Sequence, residues 1–379
     1  MTGSLPAKAS AEERFVLIDA LRAFAALWVV AHHWYFRNLV ADGSTPFVQP
    51  IDSLFREGWL GVEVFFVLSG FVITHSIRGA QITPSYVGRF ALRRSLRLDP
   101  PYWVAIAGII VLNLLSSAVT HETLEPPPSA ASIVAHLFYM QGFLGFRNIV
   151  GVFWTLCYEI QFYLLLVTCT GLAARWKHGR LAVFGALWLF SLATAMQWVP
   201  LQQAFCCSRW PLFFMGVLVH WAFVEKSIPR WILPVVAVAT FVPIHTLHDW
   251  KWDLEVVVAI LTAALISLAA WRGWLSRVSM GPVVQFYGRI SYSVYLLHMV
   301  VGTRALHIAM RHFGYHLVPW QSVVALLFSL AVTTVACYLN YRLIEKPAHA
   351  LSRRVSMTRG EPIFRPKPKI EAQSASSTA

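Results

Sequence analysis

Charge is what this chain has least of. Only 13% of its 379 residues are charged, where an average soluble domain carries about 25%. Apolar residues make up 57% and the mean hydropathy is +0.58, so the composition excludes both an ordinary soluble globule and a disordered chain. Cysteine is scarce as well. Cys157, Cys169, Cys206, Cys207 and Cys337 show no metal-ligand or redox spacing, so no metal site and no disulfide scaffold is expected. Cys206 and Cys207 are adjacent, but a vicinal disulfide is strained, so both read as thiols. There is no alternating strand pattern, no internal repeat and no soluble domain. Residues 1–14 are polar, and no small-residue cleavage site follows the first apolar run, which is expected to remain as a signal anchor.

What the chain has instead is long hydrophobic runs. Ten are long enough to cross a bilayer, at about residues 15–36, 58–77, 101–119, 153–173, 181–199, 208–224, 231–247, 254–271, 286–306 and 321–344. The stretch Ala131 to Phe146 is apolar but short, and it holds His136 and Gln141. It reads as interfacial or re-entrant. Of the 31 lysines and arginines, 22 fall between spans or at span ends on the side of the N-terminus and six on the other side. That bias predicts two cytoplasmic termini and an even number of spans. It also accounts for the net charge of +13 without nucleic acid as a partner. The expected fold is therefore an all-α polytopic membrane protein with about ten transmembrane helices. It has a cytoplasmic segment over residues 1–14, a membrane domain over 15–347 and a basic, disordered cytoplasmic tail over 348–379.

Polar residues inside the spans carry the functional signal. The first span holds Asp19, Arg22, His32 and His33. Eleven residues at about 100° each bring His33 to within roughly 20° of Arg22, about 16 Å further along the helix. A charged group inside a membrane costs about 2.5–3.5 kcal/mol on insertion scales, so a face holding a cation and an imidazole is expected to line a cavity. His32 points about 100° away. With the N-terminus inside, His33, Glu63 and Glu159 fall in the outer half of their spans and His298 near the middle of its own. Arg22 falls in the inner half.

A second cluster precedes the third span. Arg89, Arg93 and Arg97 follow a four-residue spacing with Arg94 beside them, which makes one helical face. Guanidinium forks suit phosphate oxygens. The same row also fits positive-inside anchoring against anionic lipid headgroups. Ser69-Gly70 fits close helix packing rather than nucleophilic attack.

These residues, in this order, resemble the membrane-bound acyltransferase 3 family of bacterial O-acyltransferases, which modify cell-envelope glycans, Nod factors and some macrolides. The resemblance runs from about residue 15 to 347. Arg22 and His33, with ten residues between them, are similar to the family's N-terminal signature. Gly61-Val-Glu-Val-Phe-Phe-Val-Leu-Ser-Gly-Phe71 resembles its second-span motif, with Glu63 where aspartate is commoner. Arg93-Arg-Ser-Leu-Arg97 resembles its arginine motif, followed here by Asp99-Pro100-Pro101. Trp154 to Tyr163, Gly288 to His298 and Glu345-Lys-Pro347 resemble three further motifs.

The resemblance implies transfer of an acyl group, usually acetyl, from cytoplasmic acyl-CoA to a hydroxyl on a glycan, glycolipid or macrolide-like acceptor at the bacterial inner membrane. Acyl-CoA would be a co-substrate, with no tightly bound cofactor. In that frame Arg22, Arg93, Arg94 and Arg97 hold the CoA phosphates. His33 is the base or an acylated intermediate, with Glu159 or Glu63 as its orienting carboxylate. Asp19, His298 and Trp154 are the candidates for substrate contact. Intramembrane Arg, His and Glu also suit a proton-coupled transporter. Against that stands the lack of an internal repeat and of paired, broken helices.

Overall fold

The computed structural model describes residues 15–44, 50–120, 127–199, 205–247, 250–358 and 360–364. The N-terminal segment 1–14, and the tail from residue 365, lie outside these. Among the described residues the chain is helical, with one isolated antiparallel bridge between Val355 and Phe364. In chain order the helices are α1 (Val16–Ala31), α2 (Ile51–Arg56), α3 (Gly61–Ser76), α4 (Pro84–Thr120), α5 (Ala130–Leu137), α6 (Trp154–Ala173) and α7 (Gly179–Ala195). They continue with α8 (Trp210–Val219), α9 (Ile232–Leu247), α10 (Trp250–Arg272), α11 (Pro282–Leu297), α12 (Thr303–Phe313), α13 (Pro319–Asn340) and α14 (Lys346–Ser352).

The all-α membrane architecture holds. Eight helical stretches among the described residues are long and apolar enough to cross a membrane, and each covers one of the expected spans. The other two expected spans form α7 and α9, which are apolar but have only 17 and 16 residues. The segment expected to be interfacial or re-entrant forms the eight-residue α5, about 12 Å long and too short to span. It folds back along α4, where the Tyr139 hydroxyl donates to Asp99 Oδ1 at 2.9 Å and Trp103 Nε1 donates to the Leu137 carbonyl at 3.3 Å.

Helix α4 departs from the expected boundaries. It has 37 residues and runs through Pro100 and Pro101, so the arginine row is the first half of the same helix rather than a loop before it. At 1.5 Å per residue it is about 55 Å long, well beyond a hydrocarbon core of about 30 Å. Two successive prolines remove two helical donors. The carbonyls this leaves without a helical donor are those of Leu96 and Arg97, and one residue on, the Tyr292 hydroxyl of α11 donates to the Leu98 carbonyl at 2.8 Å.

Helix α1 is central and packs against α3 and α11. The tightest crossing is between α3 and α8. A Cβ on Gly70 would meet the Phe213 carbonyl oxygen at 2.0 Å, and one on Gly216 would meet the Val67 carbonyl oxygen at 1.9 Å. With lipid outside, helices gain little from apolar burial alone, so reciprocal glycines that let two backbones touch supply the packing. This accounts for Ser69-Gly70 as a packing site.

The tail is ordered further than its composition suggests. Helix α14 packs on α4, and Arg89 of α4 donates to the carbonyls of Ser356 and Glu361 at 3.0 and 2.7 Å. Val355 and Ser356 are buried. The expectation of disorder from residue 348 is therefore corrected as far as Phe364. Basic, polar composition misleads here because backbone carbonyls, rather than side chains, satisfy Arg89.

Candidate active site

Three helices lose their α-helical register at a histidine: α8 at His220, and α1 and α11 at residues that meet. Helix α1 continues as a π-helical stretch over His32–Val40, and α11 continues as one over His298–Gly302. Such π-helical insertions concentrate at functional sites. They bring the two histidines together. His298 Nε2 lies 3.4 Å from His33 Nδ1, with the ring centroids 5.1 Å apart. His33 Nδ1 is also 2.9 Å from the Val29 carbonyl, and His298 Nδ1 is 2.8 Å from the Tyr295 carbonyl. Carbonyls only accept, so each Nδ1 carries its hydrogen in the neutral ring. His298 Nε2 then faces His33 as an acceptor. The tautomer this network assigns leaves Nε2 of His33 with its lone pair, the form a general base requires. His32 is spent elsewhere, with Nδ1 2.6 Å from the Arg56 carbonyl.

A cavity of about 820 Å³ lies among α1, α3, α4, α6 and α11. Its apolar walls include Phe65, Phe66, Val72 and Leu156, and its polar lining includes Arg22, Arg94, Arg97 and Glu159. Glu159 Oε1 accepts from Ser69 Oγ at 2.9 Å and from the Tyr163 hydroxyl. Arg94 stacks over Tyr163, 5.2 Å from the ring centre. A second cavity of about 370 Å³ shares Arg22, Arg97, Leu98 and Tyr292 with the first. Its remaining walls are Tyr341, Glu345, Lys346 and His349. One chamber is largely apolar, the other is lined by basic groups, and two arginines stand at their junction.

The fold brings Arg22, Arg94, Arg97 and Glu159 together from three helices. It does not bring all the expected residues there. Arg93 lines neither cavity, and Arg89 is tied to the tail. Glu63 is 2% exposed and lines neither cavity. It sits within the field of Arg209, which pairs with Glu255 and stacks on Trp252. The expectation that Glu159 or Glu63 orients His33 is corrected. Neither is hydrogen-bonded to it, because Val29 and His298 already satisfy Nδ1. Matching depth in a membrane fixes height along a helix but not the direction a side chain faces.

His33 itself lines neither cavity. It stands one side chain behind the wall, since the ring of Tyr295, which lines the large cavity, lies 6.0 Å from that of His298. Trp154 packs edge-on against Tyr158 and lies off the cavities. Asp19 also lies off them, at the crossing with α11, where a Cβ on Gly288 would meet its carbonyl oxygen at 2.2 Å.

Sequence reading gave no role to Glu345, Lys346 or His349. Glu345 ends a π-helical stretch over Tyr341–Glu345 and accepts from Ser293 Oγ at 2.6 Å. The signal available was Glu345-Lys-Pro347 itself, a charged triplet at the end of the last long apolar run.

The profile of the acyltransferase 3 family, described as an acyltransferase domain, matches residues 15–342. The chain is 28% identical to nodulation protein 10 of Rhizobium leguminosarum bv. viciae, over 89% of this chain and 96% of that protein. It is 22% identical to the peptidoglycan O-acetyltransferase of Listeria monocytogenes, over 87% of this chain and 55% of the relative, so it spans about half of that protein. No solved structure matches the chain. With the motifs in order along the helices, and the profile covering nearly the whole membrane part, the chain belongs to the acyltransferase 3 family.

Proposed function

We propose that this protein is an acyl-CoA-dependent membrane O-acyltransferase. It moves an acyl group, in the first instance acetyl, from cytoplasmic acyl-CoA to a hydroxyl of a glycan, glycolipid or glycosylated small molecule at the bacterial inner membrane. The observation that carries this reading is the pair of arginines at the junction of the two chambers. Among the described residues neither the Arg22 nor the Arg97 side chain makes a hydrogen bond or salt bridge. Two guanidinium groups in that position call for an anion. A pyrophosphate meets that requirement, and the apolar chamber beyond suits a thioester on its arm. The relative named as a peptidoglycan O-acetyltransferase supports an acylated hydroxyl product.

In this mechanism His33 Nε2 removes the proton from the acceptor hydroxyl. The oxygen attacks the thioester carbonyl, and CoA leaves as the thiolate, which takes up a proton. His298 accepts the Nδ1 hydrogen of His33 and so steadies the imidazolium that forms.

The test is CoA release from acetyl-CoA by the purified protein in lipid nanodiscs, with peptidoglycan fragments and simple oligosaccharides as acceptors. The wild type releases CoA in an acceptor-dependent way. His33→Ala loses about 10²–10⁴-fold in turnover while still binding CoA. Near-normal turnover in that variant would reject His33 as the base.

A further inference from the structure

The smaller chamber contains more basic side chains than a pyrophosphate at its inner wall requires. Arg22 and Arg97 belong to the wall shared with the large cavity, whereas Lys346 and His349 line only the smaller one. Both come from α14, a helix the chain returns to the underside of α4 after its last long apolar run. Among the described residues neither side chain makes a hydrogen bond or salt bridge. The one carboxylate in the chamber, Glu345, accepts the Ser293 hydroxyl. Four basic side chains thus face one acid, and the two beyond the shared wall have no partner.

We propose that Lys346 and His349 form a second phosphate site, which reads the 3′-phosphate of the donor's nucleotide. The assignment rests on the reading of acyl-CoA as donor. It follows from the order of groups along such a molecule. The thioester end occupies the apolar chamber. The flexible arm next reaches the wall shared by the chambers, which places the pyrophosphate against Arg22 and Arg97. The ribose and its 3′-phosphate lie further out, where the remaining basic side chains are the Lys346 ammonium and the His349 imidazole, which burial and the neighbouring arginines keep neutral and able to donate an N–H. Helix α14 is then a determinant of donor specificity. It separates CoA thioesters from thioesters on carriers that lack a 3′-phosphate.

The experiment measures equilibrium binding of CoA and of 3′-dephospho-CoA to the full chain in phosphatidylcholine nanodiscs. The wild type binds CoA about ten- to hundredfold more tightly, as expected for loss of one charge-assisted contact. In the Lys346→Gln, His349→Gln double variant CoA affinity falls to that of 3′-dephospho-CoA, and 3′-dephospho-CoA binding is unchanged, which also shows that the variant is folded. Lys346→Arg keeps the preference. A double variant that still prefers CoA, or that weakens for both ligands alike, overturns the assignment. So does equal binding of the two ligands by the wild type, and in each of these cases the donor reading stands. A wild type that binds neither ligand overturns the donor reading and this inference together. Added phosphatidylglycerol that displaces CoA from the wild type but not from Lys346→Arg, His349→Gln would identify a lipid headgroup site, and would also overturn it.

Discussion

His33 Nδ1 and His298 Nε2 lie 3.4 Å apart across 265 residues of chain. The contact needs His298 to accept, because its own Nδ1 hydrogen is directed at backbone carbonyls of α11. A side chain that can accept at that position is therefore a partial replacement, and one that cannot is not. His298→Gln is expected to keep at least tenfold more turnover than His298→Leu. The check is CoA release by both variants at matched thermal stability. Equal turnover in the two would remove His298 from the positioning of His33.

The arginine row divides into two groups. Arg94 and Arg97 line the cavities, whereas Arg93 does not. Arg97→Ala should weaken CoA binding about ten- to hundredfold, the loss expected for a charge-assisted contact. Arg93→Ala should weaken it several-fold less. Titration of CoA into the two variants decides the point, and the reverse order would place the donor on the other face of α4.

Gly216 has no room for a side chain. A Cβ there would lie 1.9 Å from the Val67 carbonyl oxygen, which is backbone and cannot swing aside. Overpacking typically costs about 1–3 kcal/mol. Because α3 carries Ser69, the partner of Glu159, Gly216→Val should lower both the melting temperature and activity. Gly185→Ala is the control, since nothing lies within 4 Å of a Cβ there, and it should leave both unchanged. Thermal melts in detergent test this pair.

Topology has a direct readout. The excess of basic residues on one side motivates two cytoplasmic termini. Reporter fusions after Phe36, Arg97, Arg180 and Ala379 are expected to read outside, inside, inside and inside. A C-terminus on the outer side would mean an odd number of crossings, and the short helices α7 and α9 would be the first to re-examine.

Hydropathy and the positions of basic residues were enough to establish a polytopic helical membrane protein, and the motif order was enough for its family. Every expected span is helical because a backbone in lipid must satisfy its own hydrogen bonds, a local requirement that each apolar run meets alone. Helical periodicity carries from Arg22 only to Ala31, because His33 lies in the π-helical stretch that follows and lines neither of the cavities that Arg22 lines. The arginine row was legible as a helical face, but its division between cavity, tail and neither was not.

Only the tertiary structure decided what each polar side chain faces. Depth could be counted along a span, so Glu63, Glu159 and His33 could be set at similar heights. Their directions depend on how each helix is rotated against its neighbours. Glu63 is buried off both cavities, Glu159 faces Ser69 and Tyr163, and His33 meets His298. The π-helical stretches at His32, His298 and Tyr341 break the 3.6-residue period at the positions that matter, so extrapolating that period along the sequence stops there. The return of α14 to α4, which sets Lys346 and His349 beside Arg22 and Arg97, joins residues more than two hundred positions apart. No local pattern encodes such a contact. It is fixed by the packing of whole helices.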